Sequence, residues 1–218
     1  MSRPIAVLRP EPGNRVTASA IEVAGRKVIR LPLFAAGPVA WDAPNPADFD
    51  ALILTSANAV RHGGANLSKL LGLPVHAVGK VTGEAARRFG FQVVTNGDSG
   101  AESLLKRAEA AGTRRALHLA GRERTLAAGG IVAAVVTVYA SDPLPAPDAS
   151  RLAGSIALVQ SARAAARLGE IVSDRSTIAL VAISQAVAEA AGPGWERILV
   201  PSTPSSEAMI DAALALAD

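Results

Sequence analysis

Short apolar runs recur along the chain, each followed by small or polar turn residues and then by a stretch whose apolar positions return every three or four residues. That alternation reads as buried strand, turn and amphipathic helix. The clearest case is DALILTSANAVR, Asp50 to Arg61, and it returns as SIALVQSARAAA, Ser155 to Ala166. Aligning Ser56 with Ser161 sets an offset of 161 − 56 = 105 residues. The same offset pairs HAVG at His76 with VAIS at Val181, Glu84 with Glu189, Val93-Val94 with Ile198-Leu199, and Glu102 with Glu207. A long unit of strand, helix, strand, helix, strand, helix therefore occurs twice, and the chain is built from two similar α/β units.

In chain order, residues 4–10 read as a buried strand ended by Arg9-Pro10, 14–24 as a helix stopped by Gly25, and 27–31 as a second strand. Phe34 to Pro46 loses its period among Gly37, Pro38, Pro44 and Pro46 and reads as a connection between domains. Copy one then predicts strand 51–55, helix 57–71 interrupted at Gly63-Gly64, strand 74–78, helix 80–89, strand 92–95 and helix 101–111, with Ser99 and Glu102 forming a capping box. Ala116 to Leu119 predicts a strand, Gly121 to Arg124 the opening of a short helix, and Val135 to Tyr139 another strand.

This trio resembles the opening one, but it follows its long repeat whereas the other long repeat lies at the far end of the chain. The arrangement predicts a discontinuous first domain, 1–34 with 147–218, and an inserted second domain, 40–140. Residues 35–39 and 141–146 are the linkers. Each domain is expected to be a parallel sheet flanked by helices, with a cleft between the two.

Composition narrows the function. Aromatic residues are scarce, which argues against a base-stacking surface and hence against nucleic acid. Lysine occurs only at Lys27, Lys69, Lys80 and Lys106, so arginine, the side chain suited to bidentate grip of carboxylates, carries most of the positive charge. Cys is absent and His62, His76 and His118 are scattered, so no metal site is expected. The opening MSRPIAVLRP is too short an apolar run for a signal peptide, and no run approaches a membrane span; a cytoplasmic protein is expected. No G-x-G-x-x-G or Walker-type loop follows any strand, which disfavours a nucleotide-dependent enzyme.

In parallel sheets ligands sit beyond the carboxyl ends of strands. Those ends are Arg9-Pro10, Thr55-Ser56, Gly79-Lys80, Gly121-Arg122, Gln160-Ser161 and Ser184-Gln185: hydroxyls, small residues and cations suited to a polyanion. Each also has a plainer reading. Ser56 and Ser161 serve as helix caps worth about 1 kcal/mol, Thr82 and Arg122 as surface helix positions, and His76 and His118 as satisfied buried imidazoles.

The motifs LRP, LTSANAV, VHAVG-x-x-T, LHLAGRxR, VTVYASDP and VPSTPSSEAM, in that order, resemble the uroporphyrinogen-III synthase family over essentially the whole chain. The resemblance implies an enzyme, a hydro-lyase of tetrapyrrole (haem) biosynthesis. It would close hydroxymethylbilane to uroporphyrinogen III, with loss of water and inversion of ring D, and without cofactor or metal. It implies that Arg9, Ser56, Lys80, Thr82, Arg122 and Ser161 bind substrate and that Tyr139 assists departure of the hydroxyl. A monomer is expected, with transient contact to the preceding enzyme, hydroxymethylbilane synthase. The sequence departs from the family pattern at Ser184-Gln185-Ala186-Val187, where a hydroxyl contact is missing, and after Arg122, where the helix is shortened and Arg124 loses its expected place. The alternative is a non-catalytic two-domain protein binding an anionic tetrapyrrole or other polycarboxylate.

Overall fold

The computed structural model describes residues 2–97 and 100–217. The chain divides into two compact units, Met1–Ala35 with Pro143–Asp218 (unit 1) and Ala36–Asp142 (unit 2). Strand β1 (Ile5–Val7), helix α1 (Gly13–Val23) and strand β2 (Val28–Arg30) open unit 1. After β3 (Phe34–Pro38) come β4 (Ala51–Leu54), α2 (Ala57–His62), β5 (Val75–Val78), α3 (Lys80–Phe89), β6 (Val93–Gly97), α4 (Gly100–Ala110), β7 (Ala116–Gly121) and β8 (Val132–Pro143). Unit 1 then resumes with β9 (Ile156–Val159), α5 (Ala162–Ile171), β10 (Ala179–Ala182), α6 (Gln185–Ala190), β11 (Arg197–Leu199) and α7 (Ser206–Ala217).

The sheet of unit 1 runs β11-β10-β9-β1-β2 with every pair parallel. The opening strand shares this sheet with the second copy of the repeat, Val7 lying opposite Leu158. In unit 2 the order is β3-β8-β7-β4-β5-β6, and the pairs from β8 to β6 are parallel. Leaving out the edge strand β3, the two sheets have one spatial order. In unit 1 it follows the doubly wound order 2-1-3-4-5. In unit 2 the last two strands of the chain segment take the places of the first two, so the same sheet is reached by a cyclic shift of the sequence.

Helices cover both faces because alternate residues of each buried strand point to opposite sides. In unit 1, Ala6, Leu8, Ala157, Val159 and Leu180 face α5 and α6, whereas Ile5, Val7, Ile156, Leu158 and Val181 face α1 and α7. In unit 2, Leu52, Leu54, Val75, Ala77 and Leu117 pack on α2 and α3, and Ile53 and Ala116 lie in a cluster with Leu104 and Ala108 of α4. No helix among the described residues is long and apolar enough to cross a membrane.

Four local expectations change. The helix read over 57–71 ends as α2 at His62, and Ala65–Leu70 forms a 3-10 helix instead. The aperiodic segment at 34–46 begins with β3, an edge strand beside β8; its end bonds, Leu144 N–H to Leu33 and Val39 N–H to Val138, make the pair antiparallel. An edge strand tolerates Gly37 and Pro38, which obscured it in the sequence. No helix opens at Gly121 to Arg124. There Arg122 N–H instead donates to Tyr139 O at 2.9 Å, which carries the sheet ladder onward and takes up a donor that a helix start would leave free. Finally, β8 runs from Val132 to Pro143, well beyond the Val135–Tyr139 read from its apolar run. The capping box at Ser99 falls outside the described residues.

Candidate functional site

Strand order reverses its direction of growth between β1 and β9 in unit 1 and between β7 and β4 in unit 2. At such switch points the flanking loops diverge to opposite faces and leave a crevice beyond the carboxyl ends.

At the unit 1 edge the turn after β1 is fixed by Asn14, fully buried, whose Nδ2 donates to Val7 O (2.8 Å) and Arg9 O (3.1 Å). Arg9 lies across the first residue of α1: a Cβ on Gly13 would fall 2.4 Å from its Nε. Its Nη1 donates to Thr17 Oγ1 and Ser206 Oγ, each at 3.4 Å, and Gln160 Nε2 donates to the same Ser206 Oγ at 3.3 Å. Burial presses the Arg9 pKa downward, and no carboxylate among the described residues pairs with it. Ser161 follows β9 and is exposed; its Oγ accepts from Ala164 N–H at 3.2 Å and caps α5.

At the unit 2 edge, Ser56 follows β4 and its Oγ accepts from Asn58 N–H at 3.2 Å. Gly79, with φ 75°, turns the chain from β5 into α3, which has no side-chain cap. Lys80 is exposed there, and Thr82, in the first turn, is only 5 % exposed, so the surface-helix reading does not hold for it. Arg122 is exposed and its Nη1 pairs with Asp142 Oδ1 at 2.6 Å. Arg124 folds back onto Gly121 O and Thr137 Oγ1, at 3.0 and 2.9 Å, and so pins the turn.

Tyr139, beside Gly121 in the β7–β8 ladder, is half-buried against the α2/α3 core. Its ring occupies the space a Gly121 side chain would need, since a Cβ there would fall 2.7 Å from Cζ. The hydroxyl makes no hydrogen bond among the described residues, and the His62 ring lies 6.3 Å away, centroid to centroid.

Both histidines of the unit 2 strands are buried and bonded to a threonine through Nε2, His118 with Thr55 Oγ1 and His76 with Thr113 Oγ1, each at 3.1 Å, while the Nδ1 of each is buried without a hydrogen-bond partner among the described residues. Desolvation, with the Arg124 charge adding to it and the Leu126 backbone opposing, lowers the His118 pKa to about 4. Desolvation also lowers that of His76, against the nearby Asp50. Both shifts favour the neutral imidazole, which keeps one ring N–H. No cluster of three or more His, Cys, Asp or Glu among the described residues is placed to hold a metal ion.

The structure thus gathers Ser56, Lys80, Thr82, Arg122 and Tyr139 at the carboxyl edge of the unit 2 sheet, and Arg9 and Ser161 at that of unit 1. Sequence reading named Gln160 only as part of a strand end and missed Asn14 and Ser206. The signal for Ser206 was present in SSEAM: two adjacent serines open α7, and only Ser205 caps it, accepting from Ala208 N–H at 3.1 Å. A groove of about 490 Å³ between α2 and α3, floored by Val60, Ala85 and Phe89, runs along the helices and contains none of the predicted site residues.

A model of the family described as uroporphyrinogen-III synthase HemD matches residues 15–211. The chain belongs to the uroporphyrinogen-III synthase family. This is a family of hydro-lyases in tetrapyrrole biosynthesis. Among solved structures, uroporphyrinogen-III synthetase from Helicobacter pylori is similar with a TM-score of 0.67 at 18% identity, covering 98% of this chain and 99% of the other. A mutant uroporphyrinogen III synthase from Thermus thermophilus gives a TM-score of 0.52 at 15% identity, covering 98% and 99%. At these identities the likenesses establish the synthase fold. Comparison with curated proteins gives no match. Of the departures from the synthase pattern, Ser184 is occupied as the cap of α6, accepting from Val187 N–H at 3.4 Å.

Proposed function

We propose that this chain acts on hydroxymethylbilane itself, closing it to uroporphyrinogen III with ring D inverted and loss of one water. Hydroxyl leaves the ring A hydroxymethyl group, giving an azafulvene; the substituted carbon of ring D attacks to form a spiro pyrrolenine; fragmentation and reclosure invert the ring. Because the bilane also closes unaided to isomer I, catalysis consists largely of holding the chain where spiro attack outruns direct closure.

The substrate carries eight carboxylates, and the edge residues supply matching donors. Ser56 and Ser161 accept a helix N–H with the hydroxyl oxygen, which leaves each O–H free to donate to a carboxylate. Cap and binding roles are therefore compatible. Arg9, Lys80 and Arg122 provide charge, and Thr82 a hydroxyl in the first turn of α3. Tyr139 assists the departing hydroxyl as a general acid.

The observation that carries this reading is Tyr139 itself: a tyrosine seated over Gly121 at the strand edge, with its hydroxyl uncommitted. A non-catalytic protein could use the same hydroxyl only to bind, so the reaction itself is what separates the two readings. Freshly generated hydroxymethylbilane discriminates the two. The synthase reading predicts isomer III, formed faster than spontaneous closure; isomer I alone, at the spontaneous rate, sinks it. We further propose a monomer with transient contact to the bilane-producing enzyme. A sedimentation velocity profile with a dominant dimer contradicts the first part.

A further inference from the structure

We infer that the carboxyl edge of unit 1 holds a built carboxylate subsite in which Ser206 and Gln160 are positioning residues for Arg9. The inference rests on the reading of the substrate as a polycarboxylate. It adds two residues whose role neither the motifs nor the family match supplies.

The side chains in this cluster are donors left without an acidic acceptor. Other arginines settle on carboxylates: Arg3 on Glu196, Arg30 on Glu11 and Arg122 on Asp142. Arg9 is partly buried and makes only two long bonds to neutral hydroxyls. A guanidinium cannot shed its proton to relieve that loss of hydration, so an incoming anion restores what burial removed. Glu11, the nearest acid in sequence, is committed to Arg30 and to the Arg15 N–H.

Ser206 is placed to complete the site. Its Oγ accepts from Arg9 Nη1 and Gln160 Nε2, so its own proton remains to donate. Because Ser205 caps α7, Ser206 is not needed there. Gln160, at the end of β9, fixes Ser206, and Ser206 together with Thr17 fixes one arm of the guanidinium. The remaining N–H groups of Arg9 and the Ser206 hydroxyl then present a fork suited to the two oxygens of one carboxylate.

The test uses the full chain, with uroporphyrin III free acid as a non-reacting probe and hydroxymethylbilane as substrate. Arg9→Ala is expected to weaken probe binding at least tenfold. Ser206→Ala and Gln160→Leu should each weaken it roughly three- to tenfold and raise KM in parallel, with kcat within about twofold. Ser206→Thr restores binding. The double variant Arg9→Ala/Ser206→Ala loses less than the two single losses combined, since Ser206 acts partly by positioning Arg9 and partly through its own hydroxyl. Ser205→Ala, which removes only the cap, lowers the melting temperature and leaves affinity unchanged. Unchanged affinity in Ser206→Ala, or losses that add fully to that of Arg9→Ala, overturns the inference. Isomer III formed by a wild type whose variants bind normally sinks the subsite and leaves the synthase reading standing. Weakened probe binding in a chain that yields only isomer I does the reverse.

Discussion

One row of residues crosses each sheet at the same place, and the two rows differ in chemistry. In unit 1 the row is Val7, Leu158 and Val181, all packed in one apolar cluster. The repeat offset matches Leu158 to Ile53, since 53 + 105 = 158, and the partners of Ile53 in unit 2 are His118 and His76. Where unit 1 has two valines flanking Leu158, unit 2 has two buried imidazoles flanking Ile53. Each imidazole ties its strand to a threonine, and Thr55 stands immediately before Ser56 at the carboxyl edge. Unit 1 secures its row by apolar contact alone and places its polar investment beyond the strand ends, around Arg9. Unit 2 builds polar contacts into the sheet itself and carries Tyr139 at its edge. On the function proposed above, both edges meet carboxylates, and unit 2 alone adds Tyr139 for departure of the hydroxyl.

Acid breaks the comparison most strongly. The folded pKa of His118, about 4, lies below its ordinary value near 6.5. Its contribution is therefore fully present above pH 6.5 and is lost as pH falls from about 6.5 to about 4, because the unfolded chain takes up the proton first. The loss is on the order of 3 kcal/mol, and His76, whose pKa is also lowered, adds to it with the same sign. Urea titrations at pH 7 and pH 4.5, with hydrogen exchange reporting on each sheet, should show unit 2 opening first in acid. His118→Val with His76→Val should flatten the profile. Equal acid sensitivity of β9 and β4 contradicts the account.

The close contacts at two glycines come next. Gly121→Ala drives a methyl into the Tyr139 ring, with Cζ at 2.7 Å from the new Cβ; a stability loss of about 1–3 kcal/mol is expected, together with loss of activity. Gly13→Ala meets the end of the long Arg9 side chain instead, so melting should shift less while uroporphyrin III binding weakens. Reversed outcomes, with Gly13→Ala the more destabilising, contradict the division of roles.

The smallest effect belongs to Asp142→Asn. The Arg122–Asp142 pair is half-exposed on both sides, and such pairs contribute under about 1 kcal/mol. Freeing Arg122 should tighten uroporphyrin III binding about twofold and leave stability unchanged. Weaker binding in this variant removes Arg122 from the set that meets substrate.

Much of this was legible in the sequence. The helices followed from apolar periodicity and Gly stops, and the repeat brought Ser56 and Ser161 to matching strand ends. The edge strand β3 was not legible, because Gly37 and Pro38 mark an edge strand and an irregular connection alike. Nor was the irregular turn after Gly121: Arg122 and Arg124 read as helix charges, and only the ladder bond to Tyr139 decides otherwise. At the site, the arginine at the end of β1 could be picked out by position. That Ser206 and Gln160 converge on it could not, since they lie in segments distant in sequence and meet only once α7 packs beside β9.

Tyr139→Phe tests the assignment of chemistry to the unit 2 edge most directly, because it keeps the ring over Gly121 and removes only the hydroxyl. General-acid assistance is worth about 10² to 10⁴ in rate; the hydroxyl of the bilane departs readily even in water, so a ten- to roughly hundredfold fall in kcat is expected. The product should remain mostly isomer III, since isomer choice depends on how the chain is held, and the melting temperature should stay within about a degree. A variant of full activity and unaltered melting contradicts the assignment and leaves the reaction to positioning alone.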